Sequence, residues 1–182
     1  MNFHVVGDSI TYLAARHGAT AMFAEHGHTA TLDGLRGARA DSPLRDQTWV
    51  QACGTVDHGA TDTSIGVYAL AANDLMGETF KDPDEPDFSS GEFAHLVSVL
   101  TARLVYGHYF FDHVVWVNVT TRTLNGHYNS GARRINSAMR TVCTALGFGY
   151  ADWDAKKAPT SDLIHQKPEG SPMWVDAIIE AT

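Results

Sequence analysis

Short apolar runs rich in β-branched and aromatic residues recur along the chain, and helical stretches separate them. The runs are Phe3-His4-Val5-Val6, Thr29-Ala30-Thr31-Leu32, Ile65-Gly66-Val67-Tyr68-Ala69-Leu70, Val114-Val115-Trp116-Val117-Asn118-Val119 and Phe148-Gly149-Tyr150-Ala151. They are near-continuous rather than strictly alternating, which predicts strands covered on both faces. Phe93, Leu96, Val97, Leu100 and Leu104 predict an amphipathic helix over about 89–108. Ile135, Met139, Val142 and Leu146 predict another, capped by Asn129 or Ser130, and Met173, Trp174, Ala177 and Ile178 a last one behind Ser171-Pro172. The Ala-rich stretch Ile10 to Glu25 predicts a helix that Gly18 weakens by about 1 kcal/mol. Ser42-Pro43 reads as an N-cap followed by a first-turn proline. Alternating strands and helices argue for a parallel sheet with helices on both faces. Ligands of such sheets bind at the carboxyl ends of the strands, so the residues just past each strand carry the chemistry.

Composition narrows the function. The 182 residues suit one domain spanning 1–182, and 44% hydrophobic with 19% charged residues is a globular balance. A net charge of −8 speaks against nucleic acid and anionic membranes as partners. No apolar run approaches the ~18 residues of a membrane span. Met1-Asn2-Phe3-His4 has neither the basic start nor the apolar core of a signal peptide, so a cytoplasmic location is expected. Cys53 and Cys143 read as buried thiols on helices. His26-Gly27-His28, and His108 with His113, fit no metal-ligand spacing, so neither a metal nor another cofactor is expected. Asn118-Val119-Thr120 has the letters of a glycosylation sequon but ends a buried strand. Tyr109, Phe110 and Phe111 read as core, and Lys81 to Asp87 as an exposed acidic linker.

Four short blocks sit where chemistry is expected. Gly7-Asp8-Ser9-Ile10 comes after the first strand, so Ser9 opens the first helix, either as its N-cap or as an exposed hydroxyl beside free backbone N–H groups. Asp33-Gly34-Leu35-Arg36-Gly37-Ala38 comes after the second strand, with glycines that permit close backbone approach. Ala71-Ala72-Asn73-Asp74 comes after the third, where Asn73 either caps the next segment or donates its amide into the crevice. Asp162-Leu163-Ile164-His165 precedes the last helix. An aspartate there can reach the imidazole Nδ1 and leave Nε2 to accept a serine proton.

Together the blocks resemble the SGNH hydrolases, also called the GDSL esterase/lipase family. The resemblance runs from residue 3 to about residue 179. It implies a flavodoxin-like three-layer α/β/α sandwich with a five-stranded parallel sheet. It implies Ser9 as nucleophile, His165 as general base and Asp162 orienting His165. The oxyanion hole would be the backbone N–H of Ser9 and of Gly37 with the Asn73 side chain. Two positions depart from the family's usual G-x-N-D and D-x-x-H-P: Ala71 stands for the glycine and Gln166 for the proline. The activity implied is hydrolysis of a small-molecule or glycan ester. An acyltransferase on the same site, or a non-catalytic module keeping the fold, are the alternatives. The connections over about 74–88 and 120–129 are polar, which predicts a shallow cleft for acetyl or other short acyl groups rather than a deep acyl tunnel.

Overall fold

A computed structural model describes residues 1–40, 63–76, 90–162 and 164–182. Among these residues five strands form, β1 (Asn2–Gly7), β2 (Thr29–Gly34), β3 (Ser64–Ala69), β4 (His113–Val117) and β5 (Gly149–Ala151). All pair in parallel, in the order β2-β1-β3-β4-β5. One register row crosses the whole sheet: Leu32, Val5, Val67, Val115 and Gly149. Val5, Val67 and Val115 in that row are fully buried, as near-continuous apolar strands require. The order is that of flavodoxin-like sheets, and the chain reverses its winding between β1 and β3.

The helices among the described residues are α1 (Ser9–Arg16), α2 (Ala19–Glu25), α3 (Ala72–Met76), α4 (Ser90–His108), α5 (Gly126–Leu146) and α6 (Ser171–Ile179), the last behind a 3₁₀ turn at Pro168–Gly170. α1, α2 and α6 cover one face of the sheet; α3, α4 and α5 cover the other. Phe3 of β1 meets Phe23 of α2 with ring centroids 4.7 Å apart. Trp116, Trp153 and Trp174 are fully buried, and the first two donate their indole N–H to Leu70 O and Asn118 O.

The expected strands and the helix over about 89–108 form. Three local expectations change. The Ala-rich stretch is two helices, because Gly18 adopts φ +85 and starts α2 afresh. α5 begins earlier than its apolar spacing suggested, and Asn125 caps it by accepting from Tyr128 N at 2.8 Å. Asn129 instead holds the preceding loop through Thr123. Phe111 is buried, but Tyr109 is 79% exposed, because the chain turns out of α4 there before entering β4. Cys143 is buried, and burial pushes its thiol up to about 11. Ser42-Pro43, Cys53 and the acidic linker at 81–87 lie outside the described residues.

Candidate active site

β1 and β3 run side by side and end together, with Gly7 opposite Ala69. The segments that leave these two strands flank the point where the winding reverses. Gly7 allows the tight exit from β1, since a Cβ there would lie 1.9 Å from Thr11 Oγ1 and 2.7 Å from Ala69 O. Asp8, fully buried, is the N-cap of α1 and accepts from Ile10 N at 2.9 Å. Ser9 is therefore the first residue of the helix and not its cap, and its hydroxyl is free for another partner.

That partner is His165. Ser9 Oγ lies 2.8 Å from His165 Nε2, and His165 Nδ1 lies 2.6 Å from Asp162 Oδ2. The other carboxylate oxygen of Asp162 accepts from the backbone N–H of His165 at 2.7 Å and of Ile164 at 3.1 Å. Partial burial raises the Asp162 pKa, but the bonds from the His165 ring and from the two backbone N–H groups outweigh it and hold the carboxyl below its ordinary range. An ionised Asp162 takes the Nδ1 proton as a hydrogen bond, so Nε2 carries the lone pair and accepts from the Ser9 hydroxyl.

The loop after β2 reaches the same end of the sheet. Gly34 pairs with Gly7, and Leu35 N donates to Gly7 O at 3.0 Å. Gly37, three residues on, has φ +75 and open space beyond its Cα. α3 holds this loop from the other side. Asn73 Nδ2 donates to Ala38 O at 2.9 Å, and the Asp74 carboxylate accepts from Ala40 N at 3.1 Å. Tyr68 of β3 adds its hydroxyl to Ala40 O at 3.0 Å. An amide carries two hydrogens, so the Ala38 bond leaves Asn73 one for a ligand. Ala71, in the place of the usual glycine, is buried with φ +135, a conformation that costs an L residue energy.

The loop after β4 is held by side-chain hydrogen bonds. Asp154 accepts from Thr120 Oγ1 (3.0 Å), Thr121 Oγ1 (2.7 Å), Thr121 N (3.2 Å) and Arg122 Nε (3.0 Å). Burial raises its pKa, and these donors together bring it below the ordinary carboxylate range. Tyr128, at the start of α5, is buried; burial and the carboxylates of Asp8 and Asp154 push its hydroxyl far up. Asn118 of the apparent sequon is buried and donates to Asp152 at 2.6 Å. Among the described residues no group of three or more His, Cys, Asp or Glu side chains is placed to hold a metal, and no helix is long and apolar enough to cross a membrane.

This architecture recurs in solved structures. A member of the lipolytic G-D-S-L family from Veillonella parvula DSM 2008 superposes with a TM-score of 0.76, over 99% of this chain and 97% of that one, at 13% identity. The chain has the SGNH hydrolase fold. An acetylxylan esterase from Geobacillus stearothermophilus shares it with a TM-score of 0.66, over 99% of this chain and 93% of that one, at 14% identity. No protein-family model and no curated protein matches the sequence.

Within this SGNH fold, Ser9, Asp162 and His165 come together in one hydrogen-bonded chain, while Gly37 and Asn73 follow β2 and β3 at the same end of the sheet. Two supporting residues are not evident from sequence pattern. Asp74 clamps Ala40, and its only sequence signal is its place beside Asn73. Gln166 is buried and donates to Ile10 O at 3.0 Å; its signal is the departure from proline.

Proposed function

We propose that the chain is a serine esterase that removes short acyl groups, acetyl above all, from a polar alcohol such as a carbohydrate hydroxyl. The observation that carries this reading is the unbroken chain Ser9–His165–Asp162. A serine hydroxyl is a weak nucleophile until a base takes its proton. In the proposed reaction Ser9 Oγ attacks the acyl carbon as its proton passes to His165 Nε2. The carbonyl π electrons move onto oxygen, and the oxyanion is held by the N–H groups of Ser9 and Gly37 and by the Asn73 amide. The intermediate collapses, the ester C–O bond breaks, and the imidazolium returns its proton to the leaving alcohol. Water then attacks the acyl-enzyme by the same route, releasing the acid and restoring Ser9. Asp162 stays ionised throughout and stabilises the imidazolium.

The preference for a short acyl group and a polar alcohol is supported by the polar, hydrogen-bonded character of the loop over residues 120–125, which follows β4 at the carboxyl end of the sheet, and by the fold shared with an acetylxylan esterase. A panel of acetylated sugars and acyl esters, assayed with wild type and Ser9→Ala, tests it. Hydrolysis of acetyl esters by wild type and none by a folded Ser9→Ala is expected. Turnover retained by Ser9→Ala would move the nucleophile elsewhere.

A further inference from the structure

We propose that Gln166 is a positioning residue: its buried amide ties the His165 loop to the first turn of α1 and so sets the Ser9–His165 distance. This rests on the serine-esterase reading above. The loop carrying Asp162 and His165 is near the surface; the two side chains are 53% and 28% exposed. Its internal bonds give it shape but do not attach it to the nucleophile. Ser161 N donates to His165 O at 2.8 Å, Lys167 N donates to Pro159 O at 2.9 Å, and Thr160 bridges Gln166. Among the described residues, two neighbouring hydrogen-bonded crossings attach the loop to the first turn of α1, Ser9 to His165 and Ile10 to Gln166. The next one described, His17 Nδ1 to Ser171 Oγ at 3.0 Å, lies two turns further along α1, on a different segment.

The Ser9–His165 bond is itself consumed during the reaction, when the serine proton moves and the oxygen becomes part of an ester. It cannot hold the loop through that step. The Ile10–Gln166 bond can, because neither partner reacts. Gln166 is 1% exposed, so the bond is shielded from competing water. The amide is only half satisfied: Nε2 donates to Ile10 O, while the buried Oε1 has no hydrogen-bond partner among the described residues, a cost that an apolar side chain of the same volume would not carry. Proline, usual at this point in SGNH sequences, limits the backbone but has no N–H and no side-chain donor. Here a directed side-chain bond takes over the restraint.

The test compares wild type, Gln166→Met and Ser9→Ala. Met keeps the length and volume of Gln and removes the donor. The measurements are kcat and KM on p-nitrophenyl acetate, the rate of labelling by a fluorophosphonate, and the pH profile. A misplacement on the order of 1 Å costs up to about 10²-fold in rate, so Gln166→Met is expected to lose about 10- to 10²-fold in kcat. KM should stay within about twofold, and labelling should slow by the same factor as kcat. The acid limb of the profile should not move, because the Asp162–His165 pair is untouched. Wild-type kcat, or a loss confined to KM, overturns the proposal. Should Gln166→Met fail to fold, Gln166→Leu carries the same test: it has no donor for Ile10 O, and wild-type turnover overturns the role. The two readings fail differently. A wild type not labelled at Ser9 ends the esterase reading. Labelling at Ser9 that proceeds equally fast in Gln166→Met ends the positioning role alone.

Discussion

Replacing Asn73 with alanine separates the loop contact this side chain makes from the catalytic role proposed for it. Its amide donates to Ala38 O at 2.9 Å, and the same group is the candidate third donor to the oxyanion. The structural job is small. One half-buried hydrogen bond is worth about 1 kcal/mol, and the loop keeps two other restraints, Asp74 to Ala40 N and Tyr68 to Ala40 O. For a chain of this size 1 kcal/mol lowers Tm by about 2–4 °C. The catalytic job is larger. Loss of one preorganised oxyanion donor costs about 2.7–4 kcal/mol, a fall of about 10²–10³ in kcat. Asn73→Ala should therefore melt a few degrees below wild type and keep its KM for p-nitrophenyl acetate, yet turn over two to three orders of magnitude more slowly. Thermal denaturation and initial rates at saturating substrate give both numbers from one preparation. A folded Asn73→Ala whose kcat falls less than about tenfold, or whose loss lies in KM, refutes the oxyanion assignment. A Tm fall several times larger than stated refutes the claim that the remaining bonds hold the loop.

Four further outcomes are expected. Ser9→Ala and His165→Ala should each abolish ester hydrolysis, and the double variant should be scarcely worse than either, since residues acting as one unit are non-additive; multiplying losses would show that His165 is not the base for Ser9. The specificity constant for p-nitrophenyl esters, measured from acetate to dodecanoate below micelle formation, should not climb with chain length, because each CH₂ entering an apolar tunnel would add about 0.8 kcal/mol; a steady climb would show a deep acyl pocket. The carboxyls of Asp154 and Asp162 are held below their ordinary values, so their stabilisation is complete above the unfolded carboxylate pKa of about 3.9 and fades as pH falls through the folded values; chemical denaturation against pH should show that acid limb, and Asp154→Asn should flatten it. Ala71→Gly should leave Tm unchanged or raised, because relief of about 1–3 kcal/mol of backbone strain offsets the lost methyl and the added chain entropy; a drop as large as that of buried Ala151→Gly would mean that φ +135 at Ala71 carries no strain.

The sheet was legible because its signal is simple. Strands buried on both faces must be apolar throughout, and Val5, Val67 and Val115 show that plainly. The four blocks stood out through their combined resemblance to the SGNH pattern, with three of them placed where parallel sheets bind ligands, just past the strands. Choices made by one side chain with a partner far away in the sequence were not legible. Nothing local distinguishes Asp8 from Ser9 as the cap; Asp8 takes that place, and the Ser9 hydroxyl pairs instead with His165, 156 positions later. Asn125 and Asn129 compete for the start of α5 in the same way, and Thr123 settles it by occupying Asn129. Gly18 carried a local signal, but its effect was a full break because α2 must turn to cover Phe3.

The division of duties between Asp8 and Ser9 has a consequence for how this centre can change. Because the carboxylate closes the helix end, position 9 is released from the capping role. Under the proposed function, alanine there would give an inert receptor that still accepts an intact ester, and so a route to trapping the natural substrate in a crystal. Cysteine offers sulfur to the same imidazole without altering the helix beneath it. The chain can exchange its reactive atom without renegotiating its architecture, a freedom that would vanish if one hydroxyl had to serve as both cap and nucleophile.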